Sequence, residues 1–158
     1  MKTYSALDIA QEFVKIADEN GEHLSHMKLQ KLVYFAHGWH LGLTNKPLLD
    51  ETIEAWQYGP VIPSLYEEYK KYGSRPIIPN AVMRNQKILP QDVKDLIQKI
   101  WNVYGGFTAS QLSTLTHEEG SPWDLATAEY AGSLPKGLDV PNDIIAKHFE
   151  AQKVPVNG

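Results

Sequence analysis

The chain has 158 residues, 42% of them hydrophobic and 22% charged, with no cysteine and a formal net charge of -4. That composition belongs to a folded globular chain and excludes a disordered, collagen-like or coiled-coil one; the missing thiols exclude disulfides, cysteine nucleophiles, iron–sulfur clusters and cysteine-ligated zinc. No apolar run approaches the ~18 residues of a membrane span, and the polar start Met1-Lys-Thr-Tyr-Ser lacks the basic-then-apolar layout of a secretory signal, so a single cytoplasmic domain is expected over residues 1–151, with a polar tail at 152–158.

From Ser5 the residues Ala6, Ile9, Ala10, Phe13, Ile16 and Ala17 recur at helical spacing, with Asp8, Gln11, Glu12, Lys15, Asp18 and Glu19 expected on the solvent face. Ser5 is a suitable N-cap and Asn20-Gly21 a suitable stop. A second helix is expected from Ser25 to about Leu41, and its centre, Leu32-Val-Tyr-Phe-Ala, is apolar nearly all round, as in a buried central helix. After Gly42 a loop leads to Ile53-Glu-Ala-Trp-Gln-Tyr, whose period-two alternation predicts a short strand ended by Gly59-Pro60, with Ile53, Ala55 and Gln57 on one face. Pro63 opens a helix that carries Leu65, Tyr66 and Tyr69 to a stop at Gly73.

Charge is uneven at this point of the chain, because residues 69–99 carry seven basic against two acidic side chains. Arg75, Arg84 and Lys87 make a candidate patch for an acidic partner, while Pro76, Pro79 and Pro90 predict a flexible loop. Helix resumes over Asp92–Tyr104, with Val93, Leu96, Ile97 and Ile100 inward and Gly105-Gly106 as terminator. Thr108 and Gln111 form a capping-box pattern ahead of a helix towards His117, Ser121-Pro-Trp-Asp starts a short helix to about Glu129, and Pro141 begins one with Ile144, Ile145 and Phe149 inward. The sum is a mainly helical α+β domain with a short strand or small β-hairpin.

Histidine pairs His23/His26 and His37/His40 are spaced i,i+3, but neither has the further ligands of a zinc site, so no metal or other cofactor is expected. Glu22 and His26, four apart, read as a surface pair. No GxSxG elbow, SxxK motif or Walker loop is present, and His117 is better read as bonding the turn at Glu119–Pro122 and packing on Trp123 than as a catalytic base; an enzyme is not expected. The helix pair of residues 5–41 raises a helix-turn-helix reading with Ser25, Lys28, Gln30 and Lys31 towards DNA, which the apolarity of the second helix and the acidic balance disfavour.

The aromatic residues are the most informative: Trp56 and Tyr58 on the strand and Tyr66 and Tyr69 on the next helix would form a protein-binding patch if they faced outward. Lys28 and Lys31, three apart, and Gln30 and Tyr34, four apart, lie off the Leu29-Leu32-Val33-Ala36 stripe and are expected as an exposed polar edge.

The run Lys28-Leu-Gln-Lys-Leu-Val-Tyr-Phe-Ala-His-Gly-Trp-His, the run Glu54-Ala-Trp-Gln-Tyr-Gly-Pro-Val-Ile-Pro-Ser-Leu-Tyr, then Leu115-Thr-His and Pro122-Trp123, resemble the Panacea domain of the SocA-like antitoxin family, often found as phage-associated proteins. The resemblance spans roughly residues 5 to 150. It implies an antitoxin that neutralises a cognate protein toxin by direct binding, with a branch that delivers its toxin to a protease as the alternative beside a DNA-binding prophage regulator. The expected partner contacts are Lys28, Gln30, Lys31, Tyr34, Trp56, Tyr58, Gly59, Pro60 and Tyr66, with His37, Trp39, His117 and Trp123 as structural members of the motifs. The class of toxin and the oligomeric state are not legible in these residues.

Overall fold

The fold was read from a computed structural model that describes residues 2–79 and 87–152. Among the described residues seven α-helices and a three-stranded antiparallel sheet make a mainly helical α+β architecture. Helix α1 (Ala6–Glu19) starts where the Ser5 hydroxyl accepts from Asp8 N–H, and α2 (His26–Thr44) where Ser25 accepts from Lys28 N–H. Helix α2 runs three residues past Leu41, because Asn45 takes a left-handed conformation and closes it.

Helix α2 is the axis of the molecule and contacts α1, α3 (Pro63–Tyr69), α4 (Gln91–Tyr104), α5 (Ala109–Thr116) and α7 (Asn142–Ala151). Its closest neighbour is α7, which the small residues of α2 admit: a Cβ on Gly42 would lie 2.7 Å from Phe149 Cβ, and one on Gly38 would run into the Phe149 ring. Contact on so many sides explains why α2 has no broad solvent face.

The strand stops earlier than the alternation predicts. Strand β1 (Ile53–Trp56) turns at Gln57-Tyr58 and returns as β2 (Gly59–Val61), in the register Glu54 to Val61, Ala55 to Pro60 and Trp56 to Gly59. Gly59-Pro60 therefore begins a return strand instead of ending the element. Gly59 has φ +125°, a conformation for which glycine is suited and which lets the chain reverse directly after the turn. Ile53 and Ala55 are buried as expected, but Gln57 lies in the turn and is exposed. The third strand, β3 (Asp139–Val140), joins the other edge of β1 with Ile53 opposite Val140; two residues carry too little periodicity to be read beforehand.

Helix α4 ends at Gly105, α5 opens with the Thr108/Gln111 capping box, and α6 (Pro122–Thr127) is capped by Ser121 before a 3₁₀ turn at Ala128–Tyr130. Glu12, expected on the solvent face of α1, is buried, and Ile144 is only half-buried beside the inward Ile145 and Phe149. In the proline-containing stretch Ile77 and Leu89 are buried, whereas Arg84 and the polar tail beyond Gln152 fall outside the described residues. Among the described residues no helix is long and apolar enough to cross a membrane, and no group of three or more metal-ligating side chains is gathered.

Candidate functional site

The hairpin lies over the first turns of α2, and side-chain hydrogen bonds seat it there. Gln30 acts as a surrogate strand: its Nε2 donates to the Ile62 carbonyl at 2.9 Å and its Oε1 accepts from Ile62 N–H at 2.9 Å. The next residue, Lys31, donates from Nζ to the Pro60 carbonyl at 3.2 Å. From the other side Trp123 Nε1 on α6 donates to the Trp56 carbonyl at 2.7 Å. The Trp123 ring meets His117 edge-on at 4.6 Å, and His117 Nδ1 bonds the Ser113 carbonyl of its own helix at 2.7 Å instead of the turn that follows. Gly59 sits at the junction, where a Cβ would fall 2.9 Å from Lys31 Nζ and 3.0 Å from His117 Cε1. Three blocks distant in sequence, on α2, on the hairpin and across α5 and α6, thus meet around one backbone position.

Beside this junction lies a cavity of about 330 Å³, lined by His26, Met27, Gln30, Lys31, Trp56, Gln57, Tyr58, Val61, Tyr66 and Ser113. Its aromatic wall is rigid: Trp56 packs edge-on against Tyr66 at 4.8 Å and donates Nε1 to Glu54 at 3.0 Å, and His26 leans on Tyr66 at 5.5 Å. Its rim is open to solvent, with Tyr58 at 74% and Met27 at 49% exposure. The inner polar groups are strongly desolvated. Burial pulls the Lys31 ammonium down to about 8, and it lowers His26 below the usual imidazole range.

The expected exposed edge of α2 is not exposed. Lys28, Gln30, Lys31 and Tyr34 are all buried, because the hairpin covers one flank of the helix and α4 and α7 approach others. They also diverge. Gln30 and Lys31 face the cavity, whereas Lys28 reaches Glu22 Oε1 and the Gly105 carbonyl, each at 2.7 Å, and lies 5.7 Å from the Trp101 ring centre. Lys28 therefore ties the α1–α2 connection to the end of α4, and it takes the Glu22 carboxylate that the sequence assigned to His26. Tyr34 belongs to the core between Phe35 and Phe149. A helix-turn-helix reading loses its polar face by the same burial.

Of the remaining expected residues, Trp56, Tyr58 and Tyr66 line the cavity, and Gly59 and Pro60 form the strand behind it. His37 is fully buried elsewhere on α2, with Nδ1 accepting from Leu49 N–H at 3.3 Å and Nε2 donating to Asn142 Oδ1 at 3.0 Å. Trp39 donates Nε1 to the Tyr104 hydroxyl at 2.8 Å. Both hold other elements to α2. Arg75 bonds the Lys71 and Tyr72 carbonyls of its own turn, and Lys87 approaches Asp8 at 3.9 Å, so the two do not converge on the cavity. The partner contacts expected from the sequence left out His26, Met27, Gln57, Val61 and Ser113, all of which line the cavity. The first two stand four residues before Gln30 and Lys31, a spacing that puts them on the same rows of α2; Ser113 carries no comparable signal.

Residues 29–124, which run from within α2 through the hairpin, α3, α4 and α5 to the start of α6, match the family described as antitoxin SocA-like, Panacea domain. Antitoxin SocA of Caulobacter vibrioides (strain NA1000 / CB15N) is 33% identical over 143 residues, covering 85% of this chain and 76% of that protein. No solved structure matches the chain. With a family match that encloses the Gly59 junction and a relative aligned along most of its length, the chain belongs to the SocA-like antitoxin family and carries its Panacea domain.

Proposed function

We propose that this protein is an antitoxin that neutralises a cognate protein toxin by binding it directly, and that the contact surface is the cavity face formed by the hairpin and the first turns of α2. Kinship with an antitoxin supports the role. The observation that carries the location is the hairpin tip: Tyr58 is 74% exposed on a turn whose two strands are clamped by Gln30, Lys31 and Trp123. A large amphipathic side chain on a rigid mount loses little conformational entropy on association, and aromatic anchors of this kind dominate protein interfaces. Met27, across the rim, adds an adaptable apolar contact.

The test is co-expression with the neighbouring open reading frame. That frame alone should arrest growth, this chain should restore it, and the two purified proteins should co-elute. Because Tyr58 is exposed, Tyr58→Ala should change stability by no more than ~0.5 kcal/mol, while loss of an interface anchor should weaken association about 30-fold by titration calorimetry. A neighbour without toxicity, or rescue without association, overturns the reading. Rescue accompanied by disappearance of the toxin points to delivery to a protease, and rescue through reduced transcription of the toxin gene points to a DNA-binding regulator.

A further inference from the structure

The cavity has a feature that neither folding nor an apolar contact requires. Lys31 is only 4% exposed, yet its ammonium has a single described partner, the neutral Pro60 carbonyl, and no carboxylate among the described residues stands within ion-pair distance. An ammonium has three N–H donors, and burying one with a single neutral acceptor is costly. The same cavity holds a second unsatisfied group, since His26 Nδ1 is buried with no hydrogen-bond partner among the described residues. Around these groups the walls are apolar and aromatic: Trp56, Tyr66 and Val61. A pocket of this composition complements an anion attached to an apolar group.

We infer that the cavity receives an aspartate or glutamate side chain of the partner protein, flanked by an apolar residue, with its carboxylate pairing with Lys31 and the apolar neighbour filling the space against Trp56 and Tyr66. This rests on the reading of the cavity face as the partner surface and names the chemistry of the group that enters it. Charge complementarity selects the occupant: a purely apolar insertion would leave the Lys31 ammonium sealed from water without a counter-ion, whereas a carboxylate supplies the absent acceptors. Lysine is used here as a preformed cation held beside the Gly59 backbone, where a Cβ would stand 2.9 Å from Nζ.

The probe that tests this without the toxin is N-acetylphenylalanine, a carboxylate carrying a benzyl group, compared with N-acetylphenylalanine amide of the same shape. The acid should shift the NMR signals of the Lys31 ε-methylene and bind about tenfold or more tightly than the amide, as expected when a charged hydrogen bond is lost. Lys31→Met keeps an unbranched side chain one atom shorter and removes the charge; it should abolish the preference for the acid and weaken binding of the neighbouring-frame protein by at least about tenfold. The acid should also compete with that protein. Equal binding of acid and amide to the unaltered chain overturns the inference even if Lys31→Met fails to fold. Simultaneous binding of acid and toxin overturns it in favour of a small carboxylate ligand. Toxin binding that is indifferent to Lys31→Met and to the acid overturns it while leaving the antitoxin reading intact, and absence of toxin binding to the unaltered chain overturns the antitoxin reading and this inference with it.

Discussion

His37 shows how much a single side chain can be asked to do at the centre of a helical core. It is inaccessible to solvent, its two ring nitrogens serve opposite roles, and protonation of Nδ1 would remove the acceptor that Leu49 N–H requires. Burial accordingly pulls its pKa down to about 4, against an ordinary 6.5. The unfolded chain therefore takes up a proton at higher pH than the folded one. The stability that depends on neutral His37 is complete above pH 6.5 and falls as the pH drops through 6.5 towards 4, by about 3 kcal/mol over that window. Urea unfolding at pH 7 and at pH 4 checks this against His37→Gln, which has no titrating ring. The unaltered chain should lose about 3 kcal/mol more than the variant across that range, and equal losses would show that His37 is not the acid-sensitive group. Lys31 works in the opposite part of the scale. Its folded value of about 8 lies below an ordinary 10.5, so the penalty of the buried charge is present at neutral pH and is relieved as the pH rises above 8.

Among the elements, the hairpin depends most on help from outside itself. Strands of four and three residues are short for an independent hairpin, and a two-residue third strand adds little. The support comes from α2, through Gln30 against Ile62 and Lys31 against Pro60, and from α6, through Trp123 against the Trp56 carbonyl. Gln30→Leu keeps comparable side-chain bulk but removes the only described acceptor of Ile62 N–H, whereas the Ile62 carbonyl still accepts from Tyr66 N–H at 3.1 Å. One buried donor left unpaired costs about 1–3 kcal/mol. The variant should be less stable by that amount, and exchange of the Ile62 amide with solvent should accelerate while the amides of α1 keep their protection. Unchanged exchange at Ile62 would mean that the hairpin holds its place without the glutamine.

At the scale of the whole molecule, the first half of the chain is closed by its end. Helix α7 lies along α2, and Phe149, 1% exposed, meets the rings of Trp39 at 5.2 Å and of Tyr34 and Phe35 at 6.1 Å each. Phe149→Ala should cost about 3–5 kcal/mol, since the rigid glycine-backed surface of α2 cannot collapse into the vacated volume. A thermal melt followed by circular dichroism measures it. A loss below about 1 kcal/mol would show that α7 is peripheral to the core. The cavity lies away from this seam, against α2, α3, α5 and the hairpin, so a stability defect at Phe149 and a binding defect at Tyr58 should be separable within one protein.

Local chemistry was enough for the sequence to determine where most helices begin and end. Serine and threonine oxygens at Ser5, Ser25, Thr108 and Ser121 meet the free N–H groups of the first turn, and Asn20 and Gly105 close two of the helices, all within four or five residues of chain. The family resemblance was also carried by contiguous runs, and those runs supply most of the residues that line the cavity. Burial on α2 was decided by tertiary structure alone. A period of 3.6 separates one buried face from one wet face only when a helix has a single neighbour, and α2 has several; whether Lys28, Lys31 and Tyr34 meet water depends on α4, the hairpin and α7, whose contacting residues lie from 29 to more than 100 residues away. The choice between a lone short strand and a small hairpin stayed open for the same kind of reason, because alternation along Ile53–Tyr58 reports which faces are apolar and carries no information about Gly59 reversing the chain at φ +125° to place Pro60 opposite Ala55. The cavity exists only through that reversal, since its floor is α2 and its wall is the hairpin folded back over it.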